Sequence, residues 1–219
     1  MKIIAINASP RKNGNSAKML DSWIDGYKSV YPDVEVERVD LYTLKYTGCR
    51  SCFSCKRKNG PFYGTCPIKD DIHDLVAEVY DADAIAIASP TYFGNINGML
   101  HSFLERAMFS KNTYHMNHES LAPKPVPVTM IYSCNCTPEL AKKFHYLNHW
   151  DDLEAEISHV FKHPVNRVVA YNTYQFNNYD DYDVQMFREE DKRAWRDEHF
   201  ADDQRKAFDT AAEIAHDNA

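Results

Sequence analysis

Short apolar segments recur along the chain, and stretches with helical spacing separate them. The apolar segments predict strands at 2–6, 34–37, 84–88, 126–132 and 165–171. The amphipathic stretches predict helices at 17–30, 70–80, 96–107, 138–161 and 191–216. Segment 84–88 is apolar throughout, as in a strand buried on both faces, whereas 34–37 alternates, as at a sheet edge. Strands that alternate with helices predict an α/β protein with one parallel sheet and helices on both faces.

A polar loop, residues 7–16, joins the first predicted strand to the first helix. Backbone N–H groups at a helix N-terminus attract an anion, and the guanidinium of Arg11 can bond a phosphate. Gly14 allows either a close approach or a positive φ. Four side chains add donors: Ser9, Asn13, Asn15 and Ser16. The pattern predicts a site for a terminal monophosphate, because it lacks the three glycines of a pyrophosphate loop and the Gly-Lys-Ser/Thr of a Walker loop. The alternative is an ordinary capped helix start.

A second loop, residues 89–95, follows the apolar third strand and suits a flat heteroaromatic ring. Tyr92 and Phe93 offer ring faces, and Gly94 lets the backbone come close. Thr91 and Asn95 can hydrogen-bond ring heteroatoms. The alternative is that both aromatic residues belong to the core above the next helix.

These loops are expected to meet, because ligands of open parallel sheets bind beyond the carboxyl ends of the strands. The loops after strands one, three and four would then surround one crevice. Their residues are 9–16, 89–95 and 133–137, of which the third is supported by position alone.

Composition and charge narrow the class of protein. The chain has 219 residues, is 44% hydrophobic and carries a net charge of −7, which argues against nucleic acid or an acidic membrane as a partner. Residues 180–219 hold 13 acidic and 6 basic side chains, whereas 45–69 has no acid. The N-terminal apolar run is too short for a signal peptide, and no run approaches the length of a membrane span. A cytoplasmic location is expected, where the six cysteines would be thiols or metal ligands.

The sequences Asn-Ala-Ser-Pro-Arg-Lys-Asn-Gly-Asn-Ser at 7–16 and Ser-Pro-Thr-Tyr-Phe-Gly-Asn at 89–95 resemble the FMN-binding loops of the flavodoxin-like NAD(P)H-dependent FMN reductases. This family includes quinone reductases and iron–sulfur flavoproteins. The resemblance runs from residue 1 to about 182. It implies a three-layer sandwich whose five-stranded parallel sheet has the order 2-1-3-4-5. It also implies one FMN-binding domain over 1–219, with an insertion at about 45–69 and an acidic helical extension at about 183–219.

The resemblance also assigns roles to residues. The FMN phosphate would be held by Ser9, Arg11, Asn13, Asn15 and Ser16. The isoalloxazine ring would be held by Pro90, Thr91, Tyr92, Phe93, Gly94 and Asn95. Family members are often homodimers, so Phe103 and Phe109 are expected to face a second chain.

The implied function is that of an FMN-dependent NAD(P)H oxidoreductase that passes electrons to a quinone, a flavin or a similar small acceptor. No catalytic acid is evident, and the acceptor is not specified. The alternative is an electron carrier of the flavodoxin or iron–sulfur flavoprotein type, without a nicotinamide site.

The insertion contains four cysteines with the spacing C-x2-C-x2-C-x10-C: Cys49, Cys52, Cys55 and Cys66. Four thiolates can hold a [4Fe-4S] cluster or a zinc ion. The ten-residue gap contains two glycines and is long enough to place Cys66 elsewhere, so the favoured expectation is free thiols in an active-site lid. Cys134 and Cys136 are separated by one residue, which is unfavourable for a disulfide, and are expected to be buried or loop thiols.

Overall fold

The protein is described by a computed structural model that covers residues 1–218, in which one parallel sheet forms the centre. The strands are β1 Lys2–Asn7, β2 Glu35–Asp40, β3 Ala84–Pro90, β4 Val128–Ser133 and β5 Val165–Ala170. The helices are α1 Asn15–Val30, α2 Leu75–Glu78, α3 Gly98–Lys111, α4 Pro138–Lys143, α5 Tyr146–Phe161 and α6 Glu189–Asp217. The strand order is β2-β1-β3-β4-β5, and every neighbouring pair is parallel. This confirms the predicted flavodoxin-like sheet.

The core lies on both faces of the sheet because the buried strands are apolar on both sides. Ile4 and Ile6 of β1 pack in a cluster with α3 and α5, whereas Ile3 and Ala5 pack in a second cluster with α1 and α6. Phe103 is fully buried in the first cluster. The expectation that Phe103 faces a second chain is therefore wrong.

Two predicted helices differ from those of the structure. The segment predicted at 70–80 is helical only at Leu75–Glu78, because turns precede it. The segment predicted at 138–161 is divided at His145, whose left-handed φ of 58° cannot continue a helix.

The acidic helix α6 packs against α1, and the two backbones come very close. A Cβ atom on Gly26 would lie 2.1 Å from the carbonyl oxygen of Phe208. Small apolar residues of α6, including Ala207 and Ala211, are buried in the same contact, while most of its charged side chains remain outside. Within residues 1–218, no helix combines the length and the apolar character that a bilayer crossing requires.

Candidate functional site

A crevice of about 530 Å³ opens at the carboxyl edge of the sheet. Its walls come from loops that follow β1, β3, β4 and β5, together with the beginning of α1 and Arg196 of α6. The volume lies within the range of ~300–1,000 Å³ that is usual for small-molecule sites. The structure thus brings the three predicted loops together and adds a fourth.

The loop after β1 presents the beginning of α1 to this crevice. Gly14 is the N-cap residue, and no side chain caps the helix, so backbone N–H groups of the first turn remain available. Gly14 has a φ of −76°, which any residue can adopt. A Cβ atom there would lie 3.1 Å from Cβ of Arg11, so close packing explains this glycine and positive φ does not.

Side chains of this loop reach across the crevice to other loops. Arg11 Nη1 donates to the carbonyl oxygen of Gln175 at 2.5 Å, and Asn15 Nδ2 donates to that of Tyr174 at 3.0 Å. The hydroxyl oxygens of Ser16 and Ser133 lie 2.7 Å apart. The five predicted phosphate residues all line the crevice: Ser9, Arg11, Asn13, Asn15 and Ser16.

The loop after β3 forms a tight turn. Tyr92 and Asn95 exchange two backbone hydrogen bonds of 2.8 and 3.0 Å, and Phe93 and Gly94 between them both have positive φ. Gly94 is also required by space, since a Cβ atom would lie 2.5 Å from the ring of Tyr146. Tyr92 is 45% exposed and Phe93 fully exposed, so neither is a core residue.

Only the first half of the loop after β3 lines the crevice. Pro90, Thr91 and Tyr92 form part of its wall, whereas Phe93, Gly94 and Asn95 do not. The hydroxyl oxygen Oγ1 of Thr91 is buried and has no nitrogen or oxygen partner within residues 1–218, although the hydroxyl lowers the pKa of the Cys134 thiol beside it. A buried hydroxyl without a partner is unfavourable, so a ligand atom that bonds it would be stabilised.

Asn97 fixes the two loops relative to each other, although sequence reasoning did not select it. Its side-chain oxygen caps α3 by accepting from Leu100 N at 3.0 Å, while its Nδ2 donates to the carbonyl oxygen of Ala8. Because Asn is a common N-cap residue, the sequence signal for its second role is weak.

Residues 173–177 and Arg196 also line the crevice and were not predicted as site residues. The first group could have been found, since it follows β5 at the same sheet edge. Arg196 lies seven residues into α6, and its guanidinium carbon lies 4.7 Å from the ring centroid of Tyr174. The sequence gives no signal that would separate Arg196 from the other charged residues of α6.

The crevice favours an anion. Among the residues 1–218 that line it, three are cationic, Arg11, Lys18 and Arg196, and none is a carboxylate. Together with the free N–H groups of α1, these charges create a positive field where a phosphate would enter.

The four insertion cysteines surround a second, much smaller cavity: Cys49, Cys52, Cys55 and Cys66. The ten-residue spacer therefore leaves Cys66 close to the other three cysteines. Hydrogen bonds around Ser54 lower the pKa of the Cys52 thiol. Burial raises the pKa of the Cys55 thiol, and the neighbouring Lys56 ammonium opposes that rise.

The insertion is anchored on α3. Arg106, only 1% exposed, donates to the carbonyl oxygen of Ile68 at 2.9 Å and to Asp70 Oδ2 at 2.5 Å. Lys56 Nζ donates to the carbonyl oxygen of Asn112 at 2.6 Å. This cavity has no lining residue in common with the crevice, so the cysteines are not part of the crevice wall.

Comparison with curated proteins relates the chain to iron–sulfur flavoproteins. It is 32% identical to one from Archaeoglobus fulgidus over 124 residues, 56% of this chain and 57% of that protein. It is 28% identical to one from Methanosarcina thermophila over 108 residues, 49% of this chain and 53% of that protein. The chain thus spans about half the length of the curated relatives it matches.

Comparison with solved structures supports the fold. An FMN-dependent NADH-azoreductase from Bacillus anthracis, in complex with FMN, superposes with a TM-score of 0.67 and 13% identity, covering 98% of this chain and 99% of that one. An NAD(P)H:quinone oxidoreductase from Methanothermobacter marburgensis gives a TM-score of 0.68 and 14% identity, covering 96% of each chain.

The family assignment follows from the sequence that builds the first two loops of the crevice. The profile of the NADPH-dependent FMN reductases matches residues 1–136, which include β1, β3, both loops and the cysteine insertion. This match covers more than half of the chain. The protein therefore belongs to the NADPH-dependent FMN reductase family.

Proposed function

We propose that the protein binds FMN in the crevice and acts as an oxidoreductase that transfers electrons from NAD(P)H to a small acceptor such as a quinone or a flavin. Family membership supports the cofactor and the reaction class. The bound FMN would accept a hydride and pass electrons on, while the protein binds and orients it. The observation that carries the proposal is the cationic crevice, with a helix N-terminus and an unpartnered hydroxyl along its wall.

The residues fit the two ends of FMN. The N–H groups of α1 and the guanidinium of Arg11 suit a phosphate dianion. Tyr92 offers an exposed ring face, and Thr91 Oγ1 offers a hydroxyl for a ring heteroatom. We assign the phosphate to the β1 loop and the isoalloxazine ring to the β3 loop.

Reconstitution with FMN and with FAD tests the cofactor. We expect tighter binding of FMN, because the β1 loop has one glycine and no glycine track for a pyrophosphate. Preferential recovery of FAD, or failure to bind either flavin, would contradict the assignment. Steady-state oxidation of NADPH and NADH with a quinone acceptor then separates an oxidoreductase from a flavodoxin-type carrier, which would not turn over.

We also propose that the protein forms a homodimer. Phe53, Phe109 and Tyr114 form an edge-to-face aromatic group with centroids 5.9 and 6.4 Å apart. Phe53 is half exposed, and Tyr114 is more than half exposed. An adjoining hollow of about 480 Å³ lies between the insertion, α3 and α5. Light scattering coupled to gel filtration measures the mass, and Tyr114→Ser should shift it towards a monomer.

A second candidate, an iron–sulfur flavoprotein that carries electrons singly, is favoured by the arrangement of the cysteines. Four thiols surround one cavity, and Arg50 and Arg106 line it as well. These cations would offset the negative charge of four thiolates. Within residues 1–218, no three Cys, His, Asp or Glu side chains converge on a common point as the ligands of one metal ion would. Four cysteine thiolates are the usual donor set of a [4Fe-4S] cluster.

Iron and sulfide analysis of anaerobically purified protein tests the second candidate. If a cluster is present, Cys66→Ser should release iron and loosen the insertion, because the ligands hold that segment around the metal. Thr65→Ser, at the exposed neighbouring position, is the matched control and should retain iron. Negligible iron in the unaltered protein, together with an unchanged FMN content in Cys66→Ser, would contradict the cluster. The cysteines would then be free thiols, and the proposed two-electron oxidoreductase would stand.

A further inference from the structure

A pair of cysteines lies in the loop after β4 and plays no part in the function proposed above. The sulfur atoms of Cys134 and Cys136 are 2.9 Å apart. Cys134 is 2% exposed, and Cys136 is half-buried. Asn135 between them lines the crevice. The pair therefore lies just behind the crevice wall.

The backbone of the β5 loop holds the two sulfurs in this arrangement. Cys134 N donates to the carbonyl oxygen of Ala170 at 2.8 Å, and its own carbonyl accepts from Thr173 N at 3.0 Å. The carbonyl oxygen of Cys136 accepts from Asn172 N at 2.9 Å. Three backbone hydrogen bonds thus fix both cysteines against β5, so their proximity is a property of the fold.

A buried ammonium group stands beside this loop. Lys192 of α6 is 2% exposed, and its Nζ donates to the side-chain oxygens of Asn135 and Asn172, each at 2.6 Å. It also donates to the carbonyl oxygen of Asn135, which lies between the two cysteines. No carboxylate is among these three contacts, so the positive charge is free to stabilise a thiolate.

The pKa values of the two thiols are shifted in opposite directions. The hydrogen bond from the Cys136 thiol lowers the pKa of Cys134, whereas the same contact and burial raise the pKa of Cys136. The Lys192 ammonium acts in the direction that favours both thiolates. Cys134 is thus the more acidic thiol of the pair and Cys136 its proton donor, and the thiolate is the reactive form of cysteine.

We propose that Cys134 and Cys136 form a redox-active dithiol, which hydrogen peroxide oxidises to a disulfide within the β4 loop. The Cys134 thiolate attacks one peroxide oxygen, the O–O bond breaks, and the leaving hydroxide becomes water by taking up from solvent the proton that Cys134 had released, so that Cys134 is a sulfenic acid. The Cys136 sulfur then attacks the Cys134 sulfur, the S–O bond breaks, and the leaving hydroxide takes the Cys136 thiol proton and departs as a second water. Two electrons pass from the two thiols to one peroxide.

The two sulfur atoms need to move only a short distance to form the disulfide. A disulfide bond is about 2.05 Å long, so the sulfurs need to approach by about 0.9 Å from 2.9 Å. The one-residue spacing makes the resulting ring small and strained, and strained disulfides are readily reduced. The disulfide is therefore expected to open again in a dithiol reductant.

Oxidation also moves Asn135 and thereby the crevice wall, and this part of the inference rests on the proposed function. The dissociation constant of FMN is expected to differ between the reduced and the peroxide-treated protein. If neither form binds FMN, the proposed cofactor fails while the disulfide can still be measured.

The test is peptide mapping of the full chain after hydrogen peroxide, with free thiols alkylated before digestion. We expect the peptide that carries both cysteines to lose two hydrogen atoms, to escape alkylation, and to regain both thiols in dithiothreitol. A peptide that stays fully alkylated, or a disulfide from either cysteine to one of the other four, would overturn the proposal.

Two serine variants test the assigned roles. Cys136→Ser keeps a hydroxyl donor beside Cys134, so a dimedone adduct should accumulate on Cys134 after peroxide. Cys134→Ser should give much less adduct on Cys136, because burial still raises the pKa of that thiol after the hydrogen bond to Cys134, which also raises it, has been removed. Equal adducts in both variants would overturn the roles. If a variant does not fold by circular dichroism, the mapping of the unaltered chain decides.

Discussion

At the scale of single residues, some of the side chains that line the crevice are exposed and contribute little to the hydrophobic core. Arg11 and Tyr92 are both exposed, and each lines the wall. Each also has a neighbour of the same chemistry that does not line it, Lys12 and Phe93. These pairs allow loss of a site contact to be separated from loss of charge or of aromatic surface.

Arg11→Ala should weaken FMN binding by roughly 10- to 100-fold, because a charge-assisted contact to phosphate contributes about 1.5–3 kcal/mol. The melting temperature should change little, since the side chain is exposed. Flavin fluorescence titration at constant salt measures the dissociation constant. Lys12→Ala removes the same charge outside the crevice and should leave the affinity nearly unchanged. Equal effects of the two changes would place Arg11 outside the phosphate site.

Tyr92→Ala should raise the dissociation constant of FMN through lost ring contact, by roughly 0.5–1.5 kcal/mol beyond simple burial. Its fold should be retained, because the side chain is 45% exposed. Phe93→Ala, at a fully exposed position of the same turn, is the control and should bind FMN normally. Unfolding of Tyr92→Ala with retained affinity would show that Tyr92 supports the turn and not the flavin.

At the scale of elements, the sequence predicted most strands and helices but not their breaks. The strand order that the family resemblance implied is confirmed. The segments of β1 and β3 are confirmed as well, because short apolar runs between polar loops are typical of buried strands. The break at His145 was missed, since histidine carries no turn signal and amphipathic spacing continues through it. The contact between α1 and α6 was also missed, because Gly26 alone does not reveal which helix approaches it.

Gly26→Ala should destabilise this helix pair. The added Cβ would meet the backbone of Phe208 at 2.1 Å, and overpacking of this kind costs about 1–3 kcal/mol. Thermal unfolding should show a melting temperature lower by about 2–4 °C for each kcal/mol. Gly98→Ala, where nothing lies within 4 Å, should be neutral or raise stability by about 0.4–1 kcal/mol. A Gly26→Ala protein as stable as Gly98→Ala would mean that the helices can separate freely.

At the scale of the whole molecule, Lys192 links α6 to the loops after β4 and β5. Burial lowers its pKa from 10.5 to about 8, so the folded protein gives up this proton more easily than the unfolded chain. Between pH 8 and 10.5 the unfolded state then holds more protons at this position. The contribution of Lys192 to the free energy of unfolding therefore rises with pH across that range.

Urea unfolding at pH 8 and at pH 9.5 measures this contribution. The difference in unfolding free energy between the unaltered protein and Lys192→Met should shift in favour of the unaltered protein at the higher pH. The comparison between the two proteins cancels the other titrating groups that they share. An identical pH dependence in both would show that Lys192 keeps an ordinary pKa in the fold.

The sequence predicted the site residues that are neighbours in the chain, and it missed those that come from distant segments. Residues of the β1 loop are adjacent in sequence, so Ser9 to Ser16 could be recognised as a group. Arg196 and Gln175 reach the same crevice from distant segments, through packing that no local pattern encodes. The sequence did not predict that Cys55 and Cys66 line the same cavity, because a ten-residue spacer can adopt many conformations. Hydrogen bonds to α3, such as the one from Arg106 to the carbonyl oxygen of Ile68, select one of these conformations.

The hydrogen bonds from Arg11 to Gln175 and from Asn15 to Tyr174 join residues 164 and 159 positions apart. During synthesis on a ribosome, the β1 loop emerges long before its partners exist. A nascent chain that has not yet reached Val165 has four of the five strands, and the crevice lacks one wall until Tyr174 and Gln175 are added. Cofactor capture is therefore expected late in translation or after release, and FMN binding reports that the chain has been completed through β5.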